Sequence, residues 1–142
     1  MVTISRNDLQ GLLVSCPDLK LVEVLPESSY REFHLRGAIN VPLSDDFEAR
    51  ILQEIPDKNQ TVIVYSLNFE CKNSEQAVCR LMVLGYQNVY NYEPGKIDWN
   101  AAQLPVEQGL SSIDSSPIDS IEKKQGFLFS CALLSLFDVL TN

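Results

Sequence analysis

Four cysteines (Cys16, Cys71, Cys79 and Cys131) and a single histidine, His34, are the side chains best suited to nucleophilic or acid–base chemistry. The cysteines are widely spaced and form no CxxC pair. They read as free thiols in a reducing compartment rather than a disulfide framework or a zinc site. One of them has a context. The run Val62-Ile63-Val64-Tyr65-Ser66-Leu67-Asn68-Phe69-Glu70-Cys71-Lys72-Asn73-Ser74 reads as a buried strand, a short polar loop and a helix start. Such a loop lies beyond the carboxyl end of a strand, and the next helix points its free N–H groups into it, which suits an anion. Cys71 would sit near that N-terminus beside Lys72, which favours the thiolate, while Glu70 opposes it. Ser66 stands at the loop mouth, but its hydroxyl stays protonated near pH 7, and no histidine follows nearby to act as its base. Leu67, Asn68, Phe69, Glu70, Lys72, Asn73 and Ser74 complete the candidate anion loop. Cys79, about two turns into the helix, reads as a core residue, and Cys16 and Cys131 have no catalytic context. No metal site and no cofactor are expected.

The elements that must position this loop alternate. Val2-Thr3-Ile4 suits a short edge strand, and Ser5 or Asn7 can cap a helix to about Ser15. Leu19 to Leu25 is a strand candidate, and Pro26 opens a helical turn to about Phe33. His34 to Gly37 reads as a loop, with His34 a hydrogen-bonded turn residue, and Ala38 to Val41 as a short strand stopped by Pro42. Ser44 caps the next helix, with Asp45 and Asp46 in its first turn. Thr61 to Tyr65, β-branched and uncharged, suits a central strand buried on both faces. Asn73 or Ser74 caps a helix that turns Ala77, Val78, Leu81, Met82 and Leu84 inward and ends at Gly85. Asn88 to Tyr92 is the next strand, and Lys96 to Gln103 a short helix carrying Trp99. Strands alternating with helices predict an α/β fold: a central parallel sheet of about five strands with helices on both faces.

At 142 residues and 45% apolar content, the chain suits one globular domain over residues 1–108. Residues 109–120 read as a Ser-, Gly-, Asp- and Pro-rich linker, and 121–142 as a C-terminal amphipathic helix. Ser130, Ser135, Asp138 and Thr141 fall in one arc of about 140°, leaving a broad apolar face. That face suits packing on its own domain or a homodimer contact; membrane-surface binding is a third reading. It is too short for a membrane span, which needs about 20 residues. The net charge of −8 argues against nucleic acid. Met1 to Arg6 lacks the features of a signal peptide, so the expected location is cytoplasmic.

From about Val2 to Glu107 the chain resembles a single-domain rhodanese-like protein. Leu21-Val22-Glu23-Val24 is similar to the family's "(L/I)(I/V)DVR" strand. Tyr30 to Pro42 is similar to "EYxxGHIPGAINIP", and Val62 to Ser66 to "VVVYC". Leu84 to Tyr90 and Pro94 to Trp99 are similar to "LGYxNVYxLxGGxxxW". The resemblance implies the rhodanese three-layer fold and sulfurtransferase chemistry, in which a cysteine at the strand end takes a sulfane sulfur as a persulfide. Here Ser66 occupies that position, Glu23 and Leu25 replace the Asp and Arg of "DVR", and Pro94 replaces the first Gly of the late pair. Ser66 and Lys72 also have the C-x5-R spacing of related phosphatases and arsenate reductases, with both key residues changed. Tyr65, Cys71 and Ser74 match a family variant of the loop, "YCxxxxCxxS", with Ser66 in place of its first cysteine.

Two functions follow. The first is a rhodanese-like module without standard thiosulfate sulfurtransferase activity, binding an anion or a partner. The alternative is an active sulfurtransferase or persulfide carrier using Cys71, or using a parental cysteine if Ser66 is an introduced change. Either way the small-molecule partner is a sulfur-containing or other anion.

Overall fold

Glu23, Tyr65 and Tyr92 stand side by side across a parallel sheet, and the candidate loop leaves its carboxyl edge there. The computed structural model describes residues 2–109. The expected linker beyond Gly109 and the helix over 121–142 lie outside the described residues, as does Cys131.

The elements run in order β1 (Val2–Ile4), α1 (Arg6–Ser15), β2 (Lys20–Glu23), α2 (Glu27–Glu32), β3 (His34–Leu35), β4 (Ile39–Asn40), α3 (Phe47–Glu54), β5 (Thr61–Tyr65), α4 (Asn73–Leu84), β6 (Asn88–Tyr92), α5 (Gly95–Ala101) and β7 (Val106–Glu107). The main sheet has five strands in the order β1-β6-β5-β2-β4, all parallel. Strand β5 is central because its residues are apolar on both faces, as a strand covered by helices on each side requires. Val62 and Val64 face a core with Phe47 and Ile51 of α3 and Ala77, Val78 and Leu81 of α4. Ile63 and Tyr65 face the opposite core with Leu9 of α1 and Trp99 of α5.

Several local expectations are corrected. His34 and Leu35 are not loop: they pair antiparallel with Glu107 and Val106 in a second, two-stranded sheet. Helix α3 begins at Phe47, later than its sequence suggests. Ser44 Oγ donates to the Asp46 carboxylate rather than accepting a backbone N–H, so neither Asp45 nor Asp46 is in the first turn. Lys72, not Asn73 or Ser74, is the N-cap of α4. Met82 and Cys79 are exposed, because α4 buries only the stripe of Ser74, Ala77, Val78 and Leu81. Ser5 caps α1 in a reciprocal capping box with Asp8, each side chain bonding the other's backbone N–H. Helix α4 stops at Gly85, whose φ of +102° places it in the left-handed region that glycine adopts without strain.

Candidate active site

The loop from Ser66 to Lys72 is pinned from below by α5. The backbone N–H groups of Lys96 and Ile97 donate to the carbonyls of Ser66 (3.0 Å) and Leu67 (3.1 Å). These are first-turn donors of α5, which have no partner within their own helix. The fit is close. A Cβ on Gly95 would lie 2.5 Å from the Leu67 carbonyl carbon and oxygen, and φ there is +75°. The second glycine of the late pair is therefore required for the loop to lie on α5. Pro94, in the first position of that pair, simply caps α5 with helical φ and ψ.

Within the loop, the Asn68 side chain folds back on its own backbone. Its Oδ1 accepts from the N–H of Glu70 (3.0 Å) and of Cys71 (3.1 Å). The Cys71 N–H also reaches the Asn68 carbonyl at 3.2 Å. Two loop amides are thus consumed internally. In a C-x5-R cradle the loop amides turn inward to hold an oxyanion, and this loop does not leave those two free for it.

Other donors turn to Cys71. Burial raises its thiol pKa, but the Ser66 hydroxyl and the backbone N–H groups of Asn73 and Leu67 hydrogen-bond the sulfur and outweigh that effect, so the net shift is downward. Ser66 Oγ also approaches the Cys71 carbonyl, at 3.5 Å. That distance is at the limit of a hydrogen bond. Ser66 itself is 1% exposed, whereas Cys71 is half-buried. Leu67, Phe69, Glu70 and Lys72 are exposed, Asn68 and Asn73 are half-buried, and Ser74 is buried under the start of α4. The structure thus brings Ser66, Leu67, Cys71 and Asn73 together, and leaves the Lys72 side chain at the surface.

Sequence reasoning missed the polar network beneath the loop. Lys96 and Glu23 are both buried and form an ion pair at 3.1 Å. The Lys96 ammonium also donates to the carbonyls of Ser29 and Phe33, each at 2.8 Å, and lies over the Phe33 ring. Tyr65 donates its hydroxyl to Glu23 (2.8 Å) and accepts from the Leu35 N–H (3.0 Å). Burial pushes the Glu23 carboxyl above its usual range, against the opposing pull of Lys96 and Tyr65. The same burial, with Glu23 close by, pushes the Tyr65 phenol well up, so it stays a donor. A charged residue inside the apolar strand Leu21-Val22-Glu23-Val24-Leu25 was the available signal, since a buried carboxylate needs a partner. Glu23 is therefore a working part of the structure.

His34, expected as a hydrogen-bonded turn residue, is hydrogen-bonded but lies buried in β3. Its Nδ1 meets the Tyr30 carbonyl at 2.8 Å, and its ring stacks on Tyr30 at 3.7 Å. A cleft of about 230 Å³ lies between Ser5, Arg6, Asn7, Pro94 and Asp98. Its one cation, Arg6, is taken by Asp98 at 3.1 Å, and Tyr92 donates to the same carboxylate. Among the described residues, no cluster of three or more His, Cys, Asp or Glu side chains could hold a metal ion, and no helix is long and apolar enough to cross a membrane.

The central strand of a five-stranded parallel sheet thus runs into a loop at the N-terminus of α4. The family model for the rhodanese-like domain matches residues 5–102, and the chain belongs to that family. It is 40% identical over 73 residues to the thiosulfate sulfurtransferase PspE of Escherichia coli, covering 49% of this chain and 64% of that protein. It is 28% identical over 92 residues to an HTH-type transcriptional regulator of Mycobacterium tuberculosis, covering 65% of this chain and 39% of the regulator. The chain thus spans less than two thirds of either curated relative. A crystal structure of a thiosulfate sulfurtransferase from Pseudomonas aeruginosa superposes with a TM-score of 0.68 at 25% identity, covering 77% of this chain and 20% of that one.

Proposed function

We propose that this rhodanese-like domain accepts and carries a sulfane sulfur on Cys71 rather than on the residue at the strand end. The observation that carries the reading is the place of Cys71, half-buried and immediately before the N-cap of α4, where the Ser66 hydroxyl and the Asn73 and Leu67 N–H groups hold its thiol pKa below the usual value against the effect of burial. Those donors favour the thiolate, which is the nucleophile, and they equally suit the anionic persulfide that follows attack on a sulfane sulfur. Helix α4 adds the positive end of its dipole, since Cys71 immediately precedes its N-cap. In this reading Ser66 has exchanged the role of nucleophile for that of donor. Buried and facing Cys71, it keeps the geometry of the strand end while the reactive sulfur sits five residues on, at the loop's outer side. A free thiolate carrier of this kind belongs in a reducing compartment, in keeping with the expected cytoplasmic location.

The test treats the full chain with a mixture of thiosulfate and polysulfide. Cyanolysable sulfur is then measured, and the sulfur adduct is mapped by peptide mass. The reading expects one added sulfur on Cys71 and its loss in Cys71→Ser. No adduct on Cys71 from any donor would sink it and leave the domain as a silent module that binds an anion or a partner.

A further inference from the structure

Resting on that reading of Cys71, we propose that the buried Glu23 is a positioning residue for this cysteine: through Tyr65 and Lys96 it fixes where the loop that carries the thiol lies. Ser66, at the start of that loop, is held from two sides. Tyr65 precedes it at the end of β5, and the Lys96 N–H donates to its carbonyl at 3.0 Å. The side chains of both neighbours converge on one carboxylate. Tyr65 donates to Glu23 Oε1 at 2.8 Å, and the Lys96 ammonium donates to Oε2 at 3.1 Å. An ammonium has three hydrogens to give, and the other two go to the Ser29 and Phe33 carbonyls. The Tyr65 hydroxyl in turn accepts from the Leu35 N–H. Glu23 of β2 thereby ties together the end of β5 and the first turn of α5, with α2 and β3 joined to the same network.

A shift in this network reaches Cys71 through backbone contacts. Beside Lys96, Gly95 packs so closely that a Cβ there would lie 2.5 Å from the Leu67 carbonyl and 2.7 Å from the Asn68 nitrogen. The Ile97 N–H holds the Leu67 carbonyl at 3.1 Å. Asn68 then takes the Cys71 N–H on its carbonyl and on its Oδ1. Contacts this close pass a displacement on rather than absorb it. Stability alone does not account for the pair. Glu23 and Lys96 are 0% and 1% exposed, and an apolar pair of similar volume is often at least as stable as a buried ion pair. What an apolar pair lacks is direction. It would fill the space yet let β5 and α5 settle at a different relative height, which a fully satisfied set of hydrogen bonds prevents.

The experiment follows iodoacetamide alkylation of Cys71 across pH in the full chain, resolved by peptide mapping, beside urea unfolding. The double variant Glu23→Gln with Lys96→Met leaves no unpaired charge in the network, so it is expected to recover most of the stability that Lys96→Met loses. Its Cys71 profile is nonetheless expected to move to higher pH, with the rate at pH 7 down about threefold or more. A merely structural network would return both stability and profile together. Tyr65→Phe, which deletes one leg of the network, is expected to move the profile the same way by a smaller amount. An unmoved profile in the folded double variant would overturn the positioning role, and Tyr65→Phe decides in the same way if the double variant does not fold. Sulfur loading of the unaltered chain is scored separately. No adduct on Cys71 overturns the carrier reading, whereas a loaded Cys71 with an unmoved variant profile overturns the positioning role alone.

Discussion

Replacing Lys96 with methionine removes the ammonium from the network under the loop while roughly keeping the volume of its stem. Three acceptors lose their donor: Glu23 Oε2 at 3.1 Å and the Ser29 and Phe33 carbonyls at 2.8 Å. Glu23 is then left buried with only the Tyr65 hydroxyl. Breaking a fully buried pair by removing one partner costs about 3–5 kcal/mol. For a domain of this size that lowers Tm by roughly 12 °C or more. The sign of the pH dependence follows from Glu23. Its folded pKa is already raised by burial, and losing Lys96 raises it further. A carboxyl whose folded pKa is raised contributes stability that is complete below its unfolded pKa and is lost as pH rises through the folded value. Lys96→Met should therefore be most damaging at neutral pH and partly recover toward pH 5. Adding Glu23→Gln should restore much of the neutral-pH loss. Urea unfolding at both pH values measures this. A loss below about 1 kcal/mol at pH 7, or one that does not shrink on acidification, would refute the account of the network.

Gly95→Ala should cost about 2 kcal/mol or more, since its Cβ meets Leu67 backbone at 2.5 Å in a positive-φ position. It should also slow alkylation of Cys71 by iodoacetamide; an unchanged melting curve would show that the loop does not need this contact. Ser66→Ala removes a hydroxyl that lowers the Cys71 pKa, so the pH profile of Cys71 alkylation should move upward. The rate at pH 7 should fall about threefold or more, with little change in Tm, and an unmoved profile would show that the hydroxyl does not serve the sulfur.

The parts of the fold legible in the sequence are those set by local pattern. Strands β5 and β6 fall where β-branched and aromatic runs put them, at Thr61–Tyr65 and Asn88–Tyr92. The strand order β1-β6-β5-β2-β4 was not legible there. Long-range pairings were not legible: no local signal marks His34 and Leu35 as partners of Glu107 and Val106. Helix phase was blurred in α4, where apolar Met82 sits outside and Ser74 inside. At the site, the approach of Cys71 to a helix N-terminus was readable from spacing. The inward turn of the Ser66 hydroxyl and the use of Asn68 as an internal acceptor depend on how α5 pins the loop, which spacing alone does not encode. Glu23 looked like a lost family residue; its partner Lys96 lies 73 positions away.

The central claim is that this loop lowers the pKa of the Cys71 thiol. Site-resolved alkylation of Cys71 across pH, in the folded chain and in the same chain unfolded in urea, tests it most directly. The account predicts an inflection at lower pH in the folded protein than in the unfolded one. An inflection at the same pH or higher on folding would contradict it.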